Sequence, residues 1–180
     1  NEQITQALIE HLQLGGVVHG LDMATTAKKN FLEKFYNTIL QPRNMEYKIQ
    51  FTGPTGTNAV ETALKLARMV KARSNVVCFT NGFHGLTMGS LAITGNAFYR
   101  DEAYISRSNV SFMPYDGYLR PDFNTLDLFR KMLADNSSGL DTPAAVILET
   151  IQAEGGINVA RPEWLKELAE ICHQFDILMI

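Results

Sequence analysis

Tyr47-Lys48-Ile49-Gln50-Phe51 is followed, after Thr52, by Gly53-Pro54-Thr55-Gly56-Thr57-Asn58-Ala59-Val60-Glu61. The first stretch reads as a short strand, and the second as a glycine turn that opens a helix. Ala59, Val60, Ala63, Leu64 and Ala67 fall on one face of that helix, with Lys65, Arg68 and Lys71 elsewhere. Asn58 and Glu61 have capping-box spacing. Two readings of the loop are open. It is a plain strand-to-helix turn, or it is an anion cradle. In the second case two glycines let the backbone approach a ligand, Thr55 and Thr57 offer hydroxyl donors, and the free N–H groups of the helix start carry partial positive charge.

Short apolar runs continue to alternate with helical patterns downstream. Asn75–Thr80 reads as a strand, Leu86–Ile93 as a short helix and Val110–Met113 as a strand. Thr125–Ala134 reads as a helix, Ala144–Glu149 as a strand, Pro162–Phe175 as a helix with Pro in its first turn, and Ile177–Ile180 as a strand. The fold class is therefore α/β, a mostly parallel sheet flanked by helices. Upstream, Ile4, Ala7, Leu8, His11 and Leu12 form an amphipathic stripe ending at Gly15-Gly16. Phe31, Leu32, Phe35, Tyr36, Ile39 and Leu40 form another, stopped by Pro42. Residues 1–45 are read as packing helices leading into a domain over 46–180.

With 180 residues, 46% hydrophobic and 19% charged, the chain can bury one sizeable core and is too polar for a membrane protein. A net charge of −3 without a basic stripe disfavours nucleic acid and anionic membrane as partners. Small molecules are the expected ligands. Cys78 and Cys172 fit buried reduced thiols, and the cytoplasm is the expected compartment. Asn1 in place of an initiator methionine points to upstream sequence.

In a parallel α/β sheet, ligands gather beyond the C-terminal strand ends. Three loops should meet there: the glycine loop, Asn81-Gly82-Phe83-His84-Gly85, and Glu149-Thr150-Ile151-Gln152-Ala153-Glu154-Gly155-Gly156. Phe83 between two glycines can present a flat π surface, although a core aromatic beside an ordinary loop histidine would look the same. Glu149 closes an apolar strand, where a carboxylate needs a partner or ligand, and Glu154 precedes two small residues; both could equally be solvated loop acids. No metal-ligand spacing accompanies them, so no metal is expected. The loop lacks the Gly-Lys-Ser/Thr ending of a nucleotide P-loop, no GxGxxG opens a helix, and no GxSxG elbow occurs.

Thr55–Arg68 resembles the phosphate-loop helix of class III pyridoxal-phosphate aminotransferases. Phe83-His84-Gly85 and Glu149–Gly156 resemble two further motifs of that family in the same order. Gly53–Glu61, Phe79–Gly85, Pro114-Tyr115-Asp116-Gly117-Tyr118-Leu119 and Val18-His19-Gly20-Leu21-Asp22 resemble its diaminobutyrate-forming subgroup. Asn58 and Thr150 depart from the common family pattern, which has Glu and Pro there.

The resemblance implies part of the large domain of fold-type I enzymes, with pyridoxal 5'-phosphate as cofactor. By the same resemblance Gly56 and Thr57 hold the phosphate through their backbone, and Phe83 stacks on the pyridine ring with His84 next to it. Glu154 matches a switch glutamate that pairs with an arginine when no dicarboxylate is bound, and Glu149 and Gln152 line the same wall. The implied reaction moves an amino group from L-glutamate to L-aspartate 4-semialdehyde, giving L-2,4-diaminobutyrate and 2-oxoglutarate, the first step of ectoine biosynthesis. An ornithine or 4-aminobutyrate type of transaminase is the alternative, and a non-catalytic fragment is another. The partners implied are a small amino donor, an aldehyde acceptor and a second subunit, as a homodimer or dimer of dimers. Lys28, Lys29, Lys65 and Lys71 sit on helices, so no catalytic lysine is assigned. The Schiff-base lysine is expected beyond Ile180, and the chain is expected to stop inside a core strand of an incomplete domain.

Overall fold

A computed structural model of the chain describes residues 1–20, 22–100 and 107–180. Leu21 of the Val18–Asp22 motif lies outside the described residues. The chain forms two compact units, Asn1–Phe51 and Thr52–Ile180.

In the first unit α1 (Glu2–Gln13) starts under the Asn1 side chain, which accepts from the Gln3 N–H at 3.0 Å. Its apolar stripe stays exposed at Ile4, Leu8 and Leu12, so this helix does not pack as the periodicity suggests. α2 (Thr26–Phe35) passes into a π-helical turn at Tyr36–Leu40 and a 3-10 turn at Gln41–Arg43. Pro42 is accommodated in the 3-10 turn, because its missing N–H is not needed there. Tyr47–Phe51 is not a strand. It runs without ladder partners and with Tyr47 and Phe51 exposed, and a β-rich composition becomes a strand only when another strand lies beside it. Phe51 instead contacts Phe31, ring centres 5.8 Å apart, and the Lys28 ammonium.

The second unit carries the sheet. α3 (Gly56–Lys71) leads to β1 (Val76–Phe79), α4 (Met88–Ala92), β2 (Val110–Met113), α5 (Thr125–Ala134) and β3 (Ala145–Val146). A short antiparallel pair follows, β4 (Ile151–Gln152) with β5 (Asn158–Val159), and then α6 (Pro162–Gln174) and β6 (Leu178–Met179). The main sheet has the order β2-β1-β3-β6, and every pair is parallel. Beyond β3, Ile147 N–H donates to Val77 O and Leu148 N–H to Ile180 O, which carries the extended run to the threshold of Glu149.

Both faces of the sheet are covered, as parallel sheets require. Alternate residues of β1 point to opposite faces. Val76 and Cys78 pack with Leu64 of α3, Ile93 and Ile147, whereas Val77 and Phe79 pack with Leu126, Phe129, Trp164, Leu168 and Ile171 from α5 and α6. Each such large side chain, fully buried, contributes roughly 1.5–3 kcal/mol. Both cysteines are free and buried, and burial pushes the Cys172 thiol up to about 11. At the N-terminal edge of the strands, Lys71 pairs with the carboxylate of Asp176, and Arg73 donates to Pro143 O and Asp176 O. No helix among the described residues is long and apolar enough to cross a membrane.

Candidate functional site

From β1 the chain crosses to β2 on one side, and from β3 it continues to β6 on the other. The C-terminal ends of β1 and β3 therefore flank a topological switch point, where the diverging connections leave a crevice. A cavity of about 230 Å3 opens there, lined by Asn81, Gly82, Phe83, Gly95, Asn96, Glu154 and Gly155.

The glycine loop is built differently from its sequence reading. The helix starts at Gly56, and its cap is Thr55, three residues before the expected cap Asn58; the Thr55 hydroxyl accepts from the Asn58 N–H at 3.4 Å and donates to the Asn58 amide oxygen. The Thr57 hydroxyl is 2.6 Å from both the Thr87 and the Ser90 hydroxyls. Both hydroxyls expected to face an anion are thus engaged within the protein. The backbone N–H groups of Gly56 and Thr57 remain, since the first turn of a helix has no intrahelical acceptors for them. A side chain at Gly56 would meet nothing within 4 Å, so the approach to these donors is open.

Gly85 ties the second loop to the first. Its φ of +127° lies where L-residues are strained, and a Cβ there would sit 2.7 Å from Thr57 Cβ and 2.8 Å from Ser90 Oγ. Only glycine lets the loop close onto Thr57. Phe83 is half-buried and belongs to neither core cluster; Tyr99 meets it edge-on with ring centres 5.5 Å apart. His84 is buried, its N–H donates to the Thr94 hydroxyl, and its Nε2 has no hydrogen-bond partner. Burial holds the imidazole pKa below its usual value, opposed by the nearby Glu149 charge.

The third loop docks on the second. The Glu149 carboxylate accepts from the Phe83 N–H at 2.9 Å, and Gly155 approaches the Asn81 backbone so closely that a Cβ would lie 2.8 Å from Asn81 Cβ. Glu154 is exposed at the cavity rim. Gln152 is 1% exposed, donates to Thr80 O at 2.8 Å and accepts from the Asn158 amide at 3.0 Å, so it braces the β4–β5 turn.

Sequence reasoning missed several residues here. Tyr115 is buried, its N–H donates to the Thr80 hydroxyl, and its own hydroxyl donates to Glu149 O at 2.8 Å. Asp116, beside it, pairs with Arg161; burial alone would raise its pKa, but the bonds and charge of Arg161 hold it below the usual carboxylate value. The Pro114–Leu119 motif was their only signal. Among the described residues no group of three or more His, Cys, Asp or Glu could hold a metal ion.

Residues 2–180 match the family model of class III aminotransferases. The chain belongs to the class III aminotransferases. It is 65% identical over 178 residues to a diaminobutyrate–2-oxoglutarate transaminase of Wolinella succinogenes, covering 99% of this chain and 42% of that protein. It is 55% identical over 181 residues to the protein of that name from Halomonas elongata, covering 100% of this chain and 43% of the relative. This class III chain thus spans less than half the length of these curated relatives. A Bacillus anthracis aminotransferase of known structure superposes with a TM-score of 0.81 at 25% identity, over 99% of this chain and 41% of that one. An amine transaminase from an uncultivated Pseudomonas species, solved in its PLP-bound form, gives a TM-score of 0.78 at 23% identity over 99% of this chain and 43% of that one, a likeness of fold.

Proposed function

We propose that the full-length protein is a pyridoxal-phosphate-dependent transaminase that moves an amino group from L-glutamate to L-aspartate 4-semialdehyde, yielding L-2,4-diaminobutyrate and 2-oxoglutarate, the first step of ectoine biosynthesis. Diaminobutyrate and 2-oxoglutarate rest on the names borne by relatives of 55% to 65% identity, and glutamate and the semialdehyde are what transamination of that pair yields in reverse. The observation that carries the cofactor reading is the convergence of three loops at the switch point. Those loops carry the start of α3, a half-buried aromatic ring and a buried imidazole whose Nε2 has no hydrogen-bond partner, and of these Phe83 lines the cavity.

These residues fit the phosphate and ring ends of pyridoxal phosphate. The N–H groups of Gly56 and Thr57, at the positive end of α3, would bind the phosphate, and Phe83 would carry the ring, with His84 next to it. Bound there, the cofactor supplies an electron sink that lets an amino group pass between substrates. The residues of this chain bind and orient. Glu149 fixes the Phe83 backbone, Gly85 holds the aromatic loop against Thr57, and neutral His84 adds no charge beside the ring. Glu154, exposed at the rim, is placed to meet a substrate group or a cation from elsewhere in the protein.

The lysine that bonds the cofactor is proposed to lie beyond Ile180. Lys71 does not serve, being paired with Asp176 at the opposite edge of the sheet. A cytoplasmic homodimer or dimer of dimers completes the proposal. The test is the full-length protein incubated with pyridoxal phosphate, glutamate and aspartate 4-semialdehyde, with diaminobutyrate followed by mass spectrometry. Formation of diaminobutyrate only when glutamate is present is expected; transfer to other acceptors and none to the semialdehyde would overturn the substrate assignment. Borohydride reduction and peptide mapping should place the pyridoxyl group on a lysine outside these 180 residues.

A further inference from the structure

Glu61 has the spacing of a capping-box acid, yet its carboxylate reaches across to another helix. One oxygen, Oε1, accepts from the Gly89 N–H at 2.7 Å, the Ser90 N–H at 3.0 Å and the Thr87 hydroxyl at 2.6 Å. Gly89 and Ser90 open α4, and Thr87, its cap residue, makes no side-chain cap bond of its own. A carboxylate of α3 therefore closes the start of α4. Gly89 has to be glycine for this, because a Cβ there would lie 3.1 Å from the carboxyl carbon of Glu61.

The same carboxylate sets the direction of a hydroxyl chain. A carboxylate only accepts, so the Thr87 proton points to Glu61. The 2.6 Å contact between Thr57 and Thr87 then requires the Thr57 proton. Ser90 Oγ lies 2.6 Å from the Thr57 hydroxyl and 3.0 Å from the Thr87 carbonyl, and its one proton serves either acceptor. Two steps have a set direction: Thr57 to Thr87, and Thr87 to Glu61. Thr57 stands at the middle, against Gly85.

We propose that Glu61 is a positioning residue for the anion cradle. It pins the α4 start and the Gly85 loop to the first turn of α3, and it draws the Thr57 proton inward. Thr57 then meets a phosphate with its backbone N–H and not with its hydroxyl. This rests on the pyridoxal-phosphate reading given above, and it adds a residue that touches neither phosphate nor ring.

The experiment uses the full-length protein stripped of cofactor. It measures pyridoxal phosphate affinity by absorbance titration and the 31P chemical shift of the bound phosphate, which senses its hydrogen-bond donors. Glu61→Ala is expected to weaken affinity at least ten-fold and to move the 31P signal. Glu61→Gln keeps an acceptor oxygen but loses the charge, and should recover most of the affinity. Thr87→Val cuts the hydroxyl chain, frees the Thr57 proton, and should move the 31P signal without touching α3. Leu168→Ala, destabilising from the other face of the sheet, sets what lowered stability alone does. Wild-type affinity and 31P shift in both Glu61→Ala and Thr87→Val would overturn the proposal, leaving Glu61 as a cap for α4 only. A wild-type protein that binds no pyridoxal phosphate removes the cofactor reading itself, and the proposal with it.

Discussion

The Phe83 N–H donates to the Glu149 carboxylate at 2.9 Å, joining the loop after β1 to the loop after β3 across 66 residues of chain. This bond sets where the aromatic face stands over the crevice. A carboxylate in an apolar strand end thereby has its partner, and the partner is backbone.

Replacing Glu149 with Ala leaves the Phe83 N–H without an acceptor. A hydrogen bond to a charged group is worth about 1.5–3 kcal/mol. A stability loss of about 1–2 kcal/mol is expected in urea unfolding, together with weaker pyridoxal phosphate retention. Glu149→Gln, which keeps an acceptor, should lose less than half as much.

Gly85→Ala places a Cβ against Thr57 and Ser90 at a φ of +127°. Backbone strain of this kind costs about 1–3 kcal/mol before the clash is counted. The variant is expected to lose more than about 2 kcal/mol of stability and most of its cofactor affinity, measured by denaturation and by absorbance titration. A variant as stable as the wild type would show that the loop has another way to close.

Tyr115→Phe removes the donor to the Glu149 and Thr150 carbonyls. Burial, with Asp116 next in order, pushes the phenol up to about 12, so it stays a donor at every physiological pH. A loss of about 1–2 kcal/mol is expected. Near-ultraviolet circular dichroism should also change, because Phe79 and Trp164 pack against this ring with centres 6.1 and 5.4 Å away.

His84 makes stability depend on pH. Its pKa in the folded protein lies below the ordinary 6.5, mainly through burial, so below about pH 6.5 the unfolded chain binds the proton more readily. Stability is therefore fully present above that pH and falls as pH drops toward the folded value, by at most about 1.4 kcal/mol per unit. Unfolding of the wild type and of His84→Asn between pH 8 and pH 5 checks this. The slope near pH 6 should be smaller in the variant. Asp116 contributes in a separate, more acidic window, because Arg161 holds its pKa below the usual carboxylate value.

Periodicity was enough to place β1, β2 and α5 in the sequence, since each is a short apolar or amphipathic run whose burial follows from its own pattern. Tyr47–Phe51 has strand composition and no partner, and partnership is not written in composition. The β4–β5 pair escaped notice for the opposite reason. Each strand has only two residues, too few for an alternation to show, and the pair is held by Gln152 and Asn158.

The sequence by itself determined the α/β class, the alternation of main-sheet strands with helices from β1 to β6 and which loops follow those strands, because these come from local spacing. The tertiary structure decided which donors face the crevice. Thr55 and Thr57 carry hydroxyls that suit an anion, but Asn58, Thr87 and Ser90 take them up, and Glu61 turns from its own helix to the next. A hydroxyl has one proton to give. Where it goes depends on the nearest acceptor in space, and that acceptor can lie about thirty residues away.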